Sequence, residues 1–393
     1  MKSEIVIFSR SLPFHGLGGM EIVAWDLARH FVRSGYATRV ITTALLDKQG
    51  EFKHEGVSVA PLREAPPRRY SAAWWTASRA YFEQHCMEST QAVLSVSAAA
   101  FGVLPIKAEL PHVPFVMQAH GTSWGEVISK WRSRRLKSIL SSTLNLIWLP
   151  KDLLNYQKFD AVVAVGERVR QDLTKPPVSW VLPKNKVHLI NNGIDTSIFS
   201  PSQENRKSIR TKLGLDEKTP IVMSASRLHA QKGVIHALRA FSLVLKAMPD
   251  AIYLIAGDGP ERASLASACS ELGMSKSVRF LGALRREELA PFLQAADAFI
   301  FLTEHIEGLP LNIMEALACG LPCVISDHLS LFESTLLKKV EPRNASAASN
   351  EILKIIELYK TPKQVELPEE YFLDCATDSY LSLFRSQKSA DTV

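Results

Sequence analysis

Short apolar runs alternate with amphipathic stretches along this chain, and the alternation starts twice. Ile5-Val-Ile-Phe8 leads into a glycine-bearing loop and then into Glu21 to Val32. Apolar residues there stand at 22, 23, 27, 28, 31 and 32, the 3.6-residue period of a helix with one buried face. Gly35 supplies the stop. Thr38 to Thr43, Val93 to Val96, Pro114 to Met117 and Ala161 to Val165 read as further short strands. The rhythm restarts at Pro220 to Ala225, with a helix from Gly233 to Ala247. Strands follow at Ala251 to Ala256, Val278 to Leu281, Ala298 to Leu302 and Cys323 to Ile325, and a helix spans Arg286 to Ala296. Strands separated by helices pair in parallel through crossovers, not as hairpins. The pattern predicts an α/β chain of two doubly wound, Rossmann-like domains facing each other across a cleft. Its 393 residues are too many for one core. Asn191 to Asp195 and the polar stretch 200–211 read as turn and linker. Domains are expected at 1–195 and 196–370, with a terminal helix at 371–393.

Composition narrows the function. Ile5 to Phe8 is too short for the apolar core of a signal peptide and is preceded by Glu4. Ile139 to Leu149, the longest candidate span, is interrupted by Ser141, Ser142, Thr143 and Asn145. A cytoplasmic protein that does not cross the membrane is expected. Five scattered cysteines, none in CxxC spacing, predict reduced buried thiols and no zinc site. The net charge of +6 is uneven. Lys130, Arg132, Arg134, Arg135 and Lys137 fall within eight residues beside Trp131 and Leu136. On a helix they form a basic face suited to anionic lipid headgroups or an anionic acceptor. No nucleic-acid motif accompanies them, so nucleic acid is not an expected partner.

Two loops carry the chemistry. Ser224-Ala-Ser-Arg227-Leu-His-Ala-Gln-Lys232-Gly233 follows a strand and opens a helix. Free amides and the helix dipole favour anions there, and Arg227 with Lys232 matches a diphosphate. The second loop, Glu307-Gly-Leu-Pro-Leu-Asn-Ile-Met-Glu315, has carboxylates eight positions apart. Taken alone they read as two exposed glutamates. On one unbroken helix they would lie roughly 12 Å apart, the reach from a sugar to a ribose across a pyrophosphate.

Together these segments resemble the retaining GT-B glycosyltransferases of the GT4 (glycosyl transferases group 1) family. The E-x7-E element, "SRLHAQKG", "YLIAGDGPE", "VRFLGAL" and "VHLINNGIDTSIFSP" are similar to family segments in order and spacing. So are "GLGGMEIVAWDLARHFVRSGYATRVIT" and "PFVMQAHGT". The resemblance implies a nucleoside-diphosphate sugar, UDP- or GDP-linked, as donor. It implies that Glu315 binds the ribose and Glu307 the sugar hydroxyls, with the Gly308 and Leu309 amides near sugar or phosphate. Arg227 and Lys232 would hold the diphosphate. Gly18 and Gly19 would let their loop approach donor and acceptor, and His120 would sit beside the anomeric centre. His120, Glu307, Arg227 and Lys232 form the expected catalytic set. The chain has no DxD sequence for a diphosphate-bound metal, so no metal or other cofactor is expected. The expected reaction is hexosyl transfer to a glycan or lipid-linked acceptor in bacterial surface polysaccharide or lipopolysaccharide synthesis, at the inner face of the cytoplasmic membrane. A nucleotide-sugar epimerase, a phosphorylase or a non-catalytic partner subunit on the same fold are the alternatives. An NAD-dependent oxidoreductase fits poorly, because Glu21 stands where G-x-G-x-x-G needs its third glycine.

Two features depart from the family pattern. Ser226 replaces the usual glycine before Arg227, and "HLSLFES" follows Asp327 in place of Gly-Gly-x-Pro-Glu, with the region up to Ala345 shortened. The tail, with apolar residues at 371, 372, 380, 381 and 384, reads as an amphipathic helix. By the resemblance it crosses back onto the N-terminal domain.

Overall fold

The structure is a computed structural model that describes residues 3–16, 18–48, 50–125, 149–305, 307–358 and 365–390. The described residues form two compact units. One runs to Gly193 and resumes at Glu370; the other is Ile194–Glu369.

The first unit holds strands β1 (Glu4–Phe8), β2 (Ala37–Thr43), β3 (Phe52–His54), β4 (Val57–Leu62), β5 (Thr90–Val96), β6 (Phe115–Ala119), β7 (Ala161–Ala164) and β8 (Val187–Leu189). They lie in the order β3-β4-β2-β1-β5-β6-β7-β8. Every pair is parallel except β3 with β4, a hairpin at the edge. β1 and β6 are buried at every position because helices cover both faces. Helices α1 (Gly19–Arg33), α2 (Ala72–His85) and α3 (Glu167–Thr174) belong here. So does the terminal helix Leu373–Ala390, which packs on α1: Phe31 meets Tyr380 edge-on at 6.5 Å and Phe384 at 5.9 Å. Where the chain leaves the unit, Gly193 passes so close to this helix that a Cβ would lie 2.3 Å from Leu373 Cα.

The second unit has strands β9 (Ile221–Ala225), β10 (Ile252–Ala256), β11 (Val278–Gly282), β12 (Ala298–Phe301), β13 (Cys323–Ser326) and β14 (Leu337–Val340). All are parallel, in the order β11-β10-β9-β12-β13-β14. The chain winds outward from β9, returns, and winds outward again from β12. A crevice therefore opens between the loops that follow β9 and β12, the place where such sheets bind ligands.

The stretch 200–211, expected to be a linker, is mostly helix: α4 spans Gln203–Leu213. Hydropathy hides it because its inward face is built from Arg206 and Arg210, which are 3% and 1% exposed. Their guanidinium groups donate to the two carboxylate oxygens of Asp297 at 2.7 and 2.8 Å and to the Ala295 carbonyl. Ser202 caps the helix by accepting from the Asn205 amide, and Gly214 ends it at φ 69°.

Among the described residues, no helix is long and apolar enough to cross a membrane. The cations Lys130, Arg132, Arg134, Arg135 and Lys137 lie outside the described residues.

Candidate functional site

In the second unit, the loop after β9 is held against its neighbours by backbone hydrogen bonds. Ser226 N donates to Ala256 O at 3.0 Å, and Leu228 N to Asp258 O at 2.9 Å. Leu228 is fully buried and anchors the loop, while Arg227 beside it faces solvent and forms no ion pair among the described residues. A short turn, Ala230–Lys232, ends at Gly233, which adopts φ +64°. A Cβ at Gly233 would lie 1.8 Å from Leu302 O. Only glycine satisfies both the backbone angle and that approach. Helix α5 (Val234–Ala247) starts there, and α6 (Arg262–Glu271) follows β10.

This contact joins the loops on either side of the crevice. Thr303 Oγ1 donates to Gln231 O at 2.6 Å, and Lys232 Nζ reaches Glu307 Oε1 at 2.6 Å. The Lys232 and Glu307 side chains are 18% and 15% exposed, so this pair is well shielded from water.

Helix α8 (Leu311–Ala318) begins after Pro310, which sits at its N-cap. Glu307 to Pro310 is loop. The span calculated from an unbroken helix therefore does not apply, since the chain rises helically only from Leu311. Asn312 ties α8 to the end of β9 by donating to Ala225 O at 2.8 Å. The Gly308 and Leu309 amides make no hydrogen bond among the described residues. Neither glutamate is exposed in the manner of a surface residue. Glu315 is 5% exposed and receives Arg286 Nε at 3.2 Å. Arg286 opens α7 (Arg286–Ala295), and its guanidinium lies 4.8 Å from the Phe199 ring centre. Nothing in the pair Arg285-Arg286 marks the second arginine as the buried one.

In the first unit, Gly18 caps α1 and Gly19 is its first residue. A Cβ at Gly18 would lie 2.4 Å from Glu21 Oε2. That carboxylate is fixed by the Ser11 hydroxyl at 2.7 Å. His120 follows β6 and is partly buried; its Nε2 lies 2.9 Å from Gln118 Oε1. The Gln118 amide donates to the Tyr380 hydroxyl at 2.9 Å, so its oxygen faces the ring and Nε2 carries the proton. Burial, with the Arg10 charge added, pushes the His120 pKa down to about 4. The ring is neutral at pH 7, and its Nδ1 is an acceptor. Gln118 and Tyr380 escaped sequence reasoning because 262 positions separate them.

The comparisons agree with this architecture. Residues 205–367 match the family described as Glycosyl transferases group 1, and residues 17–198 match Glycosyltransferase Family 4. The two matches lie end to end. The chain belongs to the GT4 glycosyltransferases, and its fold is GT-B.

Among curated members of the family, it is 26% identical to the uncharacterized glycosyltransferase MJ1607 of Methanocaldococcus jannaschii, over 84% of this chain and 82% of that one. It is 34% identical to the GDP-mannose-dependent monoacylated alpha-(1-6)-phosphatidylinositol monomannoside mannosyltransferase of Corynebacterium glutamicum. That match covers only 34% of this chain and 36% of the relative. Among solved GT-B structures, Anabaena HepE in complex with UDP and glucose superposes with a TM-score of 0.72 at 18% identity. It covers 98% of this chain and 100% of HepE.

This GT4 chain keeps a regular end to its second sheet despite the missing Gly-Gly-x-Pro-Glu stretch. β14 pairs with β13 in parallel, and helix α9 (Ala345–Leu358) follows. His328 bridges back to the loop after β12, its Nε2 3.1 Å from His305 O.

Proposed function

We propose that this glycosyltransferase moves a hexose from a UDP- or GDP-sugar to a glycan or lipid-linked acceptor, with retention of anomeric configuration and without a metal. The observation that carries the reading is the meeting of Lys232 and Glu307 at the reversal point of the second sheet, on the approach to the helix that bears Glu315. Opposite charges held there match the opposite needs of a nucleotide sugar.

The diphosphate displaces Glu307 from Lys232. The ammonium then faces the leaving phosphate, and Arg227 adds a second cation from solvent. Glu307, released, accepts hydrogen bonds from the sugar hydroxyls, while Glu315 accepts from the ribose. The free amides of Gly308 and Leu309 donate to phosphate or sugar. The acceptor oxygen forms its bond to the anomeric carbon on the face from which the diphosphate departs. The bond from that carbon to the phosphate oxygen breaks, and its electron pair goes to the diphosphate. The acceptor proton passes to the departing phosphate oxygen. Fixed cations stabilise this charge because they need no reorganisation during the step. Gly18 and Gly19 admit the donor, and neutral His120 accepts a hydrogen bond through Nδ1 beside the anomeric centre.

The place of action proposed is the inner face of the cytoplasmic membrane, in surface polysaccharide or lipopolysaccharide synthesis. The basic stretch 130–137 supports it, as do relatives named for lipid-linked acceptors.

A thermal-shift screen against UDP-, GDP-, ADP- and CMP-sugars tests the donor. Ligand at 100 times its Kd adds about 2.7 kcal/mol of stability, so one sugar should raise Tm clearly. A flat screen would sink the donor assignment. Proton NMR of the product reads the anomer, and inversion would defeat the mechanism. Activity lost in EDTA and restored by a divalent cation would defeat metal independence. Co-sedimentation with anionic vesicles, weakening as salt rises, tests the membrane placement.

A further inference from the structure

A cavity of about 600 Å³ opens in the first unit, within the size range of small-ligand sites. It is lined from the loops after β1, β5 and β6, by Arg10, Ser97 and His120 among others. These are the carboxyl ends of strands on both sides of that sheet's own reversal point, between β1 and β5.

Its charged lining is mostly cationic. Arg10, Arg68 and Arg69 line it, and none of the three has a carboxylate within ion-pair distance among the described residues. Of the three, Arg10 is held by an aromatic ring instead, and Arg68 donates to the His15 carbonyl at 3.5 Å. The Tyr70 and Trp75 rings stack at 6.2 Å and 11°. The Arg10 guanidinium lies 4.8 Å from the Tyr70 ring centre, and Lys151 Nζ lies 3.4 Å from that of Trp75. The polar ends of the rings are committed: the Tyr70 hydroxyl donates to Val96 O at 2.9 Å, and the Trp75 indole to Ala98 O at 3.1 Å. Rings fix a guanidinium without cancelling its charge, so the positive field stays available to a ligand.

One carboxylate lines the same cavity. Asp152 receives a hydrogen bond from the Ser123 hydroxyl, and burial raises its pKa. A half-buried carboxylate keeps its charge by accepting hydrogen bonds, and sugar hydroxyls are suitable donors.

We propose that the cavity binds a phosphorylated sugar as the acceptor, its phosphate on Arg10, Arg68 and Arg69 and its hydroxyls on Asp152. The inference rests on reading the chain as a glycosyltransferase with its acceptor on the first unit. A sugar carried on a lipid diphosphate and a glycan bearing a phosphate substituent present the same chemistry.

The test is 31P line broadening of hexose 1-phosphate and hexose 6-phosphate by the purified full chain, with inorganic phosphate as reference. Wild-type protein should broaden a hexose phosphate more than inorganic phosphate, and saturating UDP should leave that broadening in place. The double variant Arg68→Ala/Arg69→Ala should lose at least fivefold. Both residues are exposed, and unchanged circular dichroism checks the fold. Asp152→Asn should reduce hexose phosphate to the level of inorganic phosphate. Stronger broadening of the 1-phosphate supports the proposal with a lipid diphosphate as the source, and of the 6-phosphate with a substituted glycan. No broadening, equal broadening by the double variant, or full displacement by UDP overturns it, the last by assigning the cations to the donor. The glycosyltransferase reading fails on a separate measurement, the nucleotide-sugar screen, which does not involve this cavity.

Discussion

The two units place charge at their strand ends in opposite ways. In the second unit Lys232 holds Glu307 and Arg286 holds Glu315, and all four side chains are largely withdrawn from water. In the first unit Arg10, Arg68 and Arg69 line a cavity with no carboxylate partner among the described residues, and His120 beside them is kept neutral. A paired buried charge is part of the fold, because removing one member strands the other. An unpaired cation on a cavity wall adds little to the fold and is free to serve a ligand. Loss of one member of a second-unit pair should therefore cost stability as well as any activity, whereas loss of a cavity arginine in the first unit should cost binding alone.

The largest effect expected is that of Glu315→Ala. It leaves the Arg286 guanidinium buried without this carboxylate, at a cost of about 3–5 kcal/mol. Urea denaturation measures it. A loss below about 1 kcal/mol would break the contrast between the units. Glu315→Gln, which keeps the shape, is the better variant for measuring transfer.

Lys232→Ala comes next. Removing one preformed charge donor from a reacting site costs roughly 10²–10³ in kcat. Steady-state kinetics with the sugar found by the donor screen would show it, and a change confined to KM would reduce Lys232 to a ground-state contact. Because the Lys232–Glu307 pair is more exposed than Arg286–Glu315, its loss should lower Tm less than Glu315→Ala does.

His120 sets a pH dependence. Its pKa is about 4 in the folded chain against 6.5 when free. The folded state prefers the neutral ring, so the unfolded chain takes up the proton first as pH falls. This contribution to stability is complete above pH 6.5 and is lost progressively between 6.5 and 4. The slope is at most about 1.4 kcal/mol per pH unit. Comparing wild type with His120→Gln across that window isolates it, and parallel curves would mean that the ring titrates freely.

The smallest effect is that of Tyr380→Phe. It removes the hydroxyl that orients Gln118 and, through it, His120, for about 1 kcal/mol of stability. If Tyr380 is a positioning residue, the acid limb of the kcat profile should also move. A stability change with an unmoved pH profile would confine Tyr380 to packing.

Much of the fold was legible because burial writes a period into the chain. The strand at Ile5 to Phe8, the 3.6-residue pattern of α1 and the restart at Pro220 all follow from which residues must leave water. So does the position of the loops after β9 and β12, since strand order and right-handed crossovers leave few places for them. Failure came where charge took the place of apolar surface. The helix carrying Arg206 and Arg210 read as linker because its buried face is built from guanidinium groups, and their partner Asp297 lies about 90 positions away. The unbroken-helix span from Glu307 to Glu315 fails for a local reason: α8 begins only at Leu311, after Pro310 at its cap.

Sequence alone thus determined the two α/β units and the loops that carry Lys232, Glu307 and His120. Tertiary structure decided the electrical state of those residues. It paired Lys232 with Glu307 and Glu315 with Arg286, lowered the pKa of His120, and left Arg10, Arg68 and Arg69 with no ion-pair partner among the described residues. The physical reason is range. Periodicity acts between neighbours a few residues apart and can be read along the chain, whereas an ion pair or a desolvated ring depends on groups that only folding brings within a few ångströms.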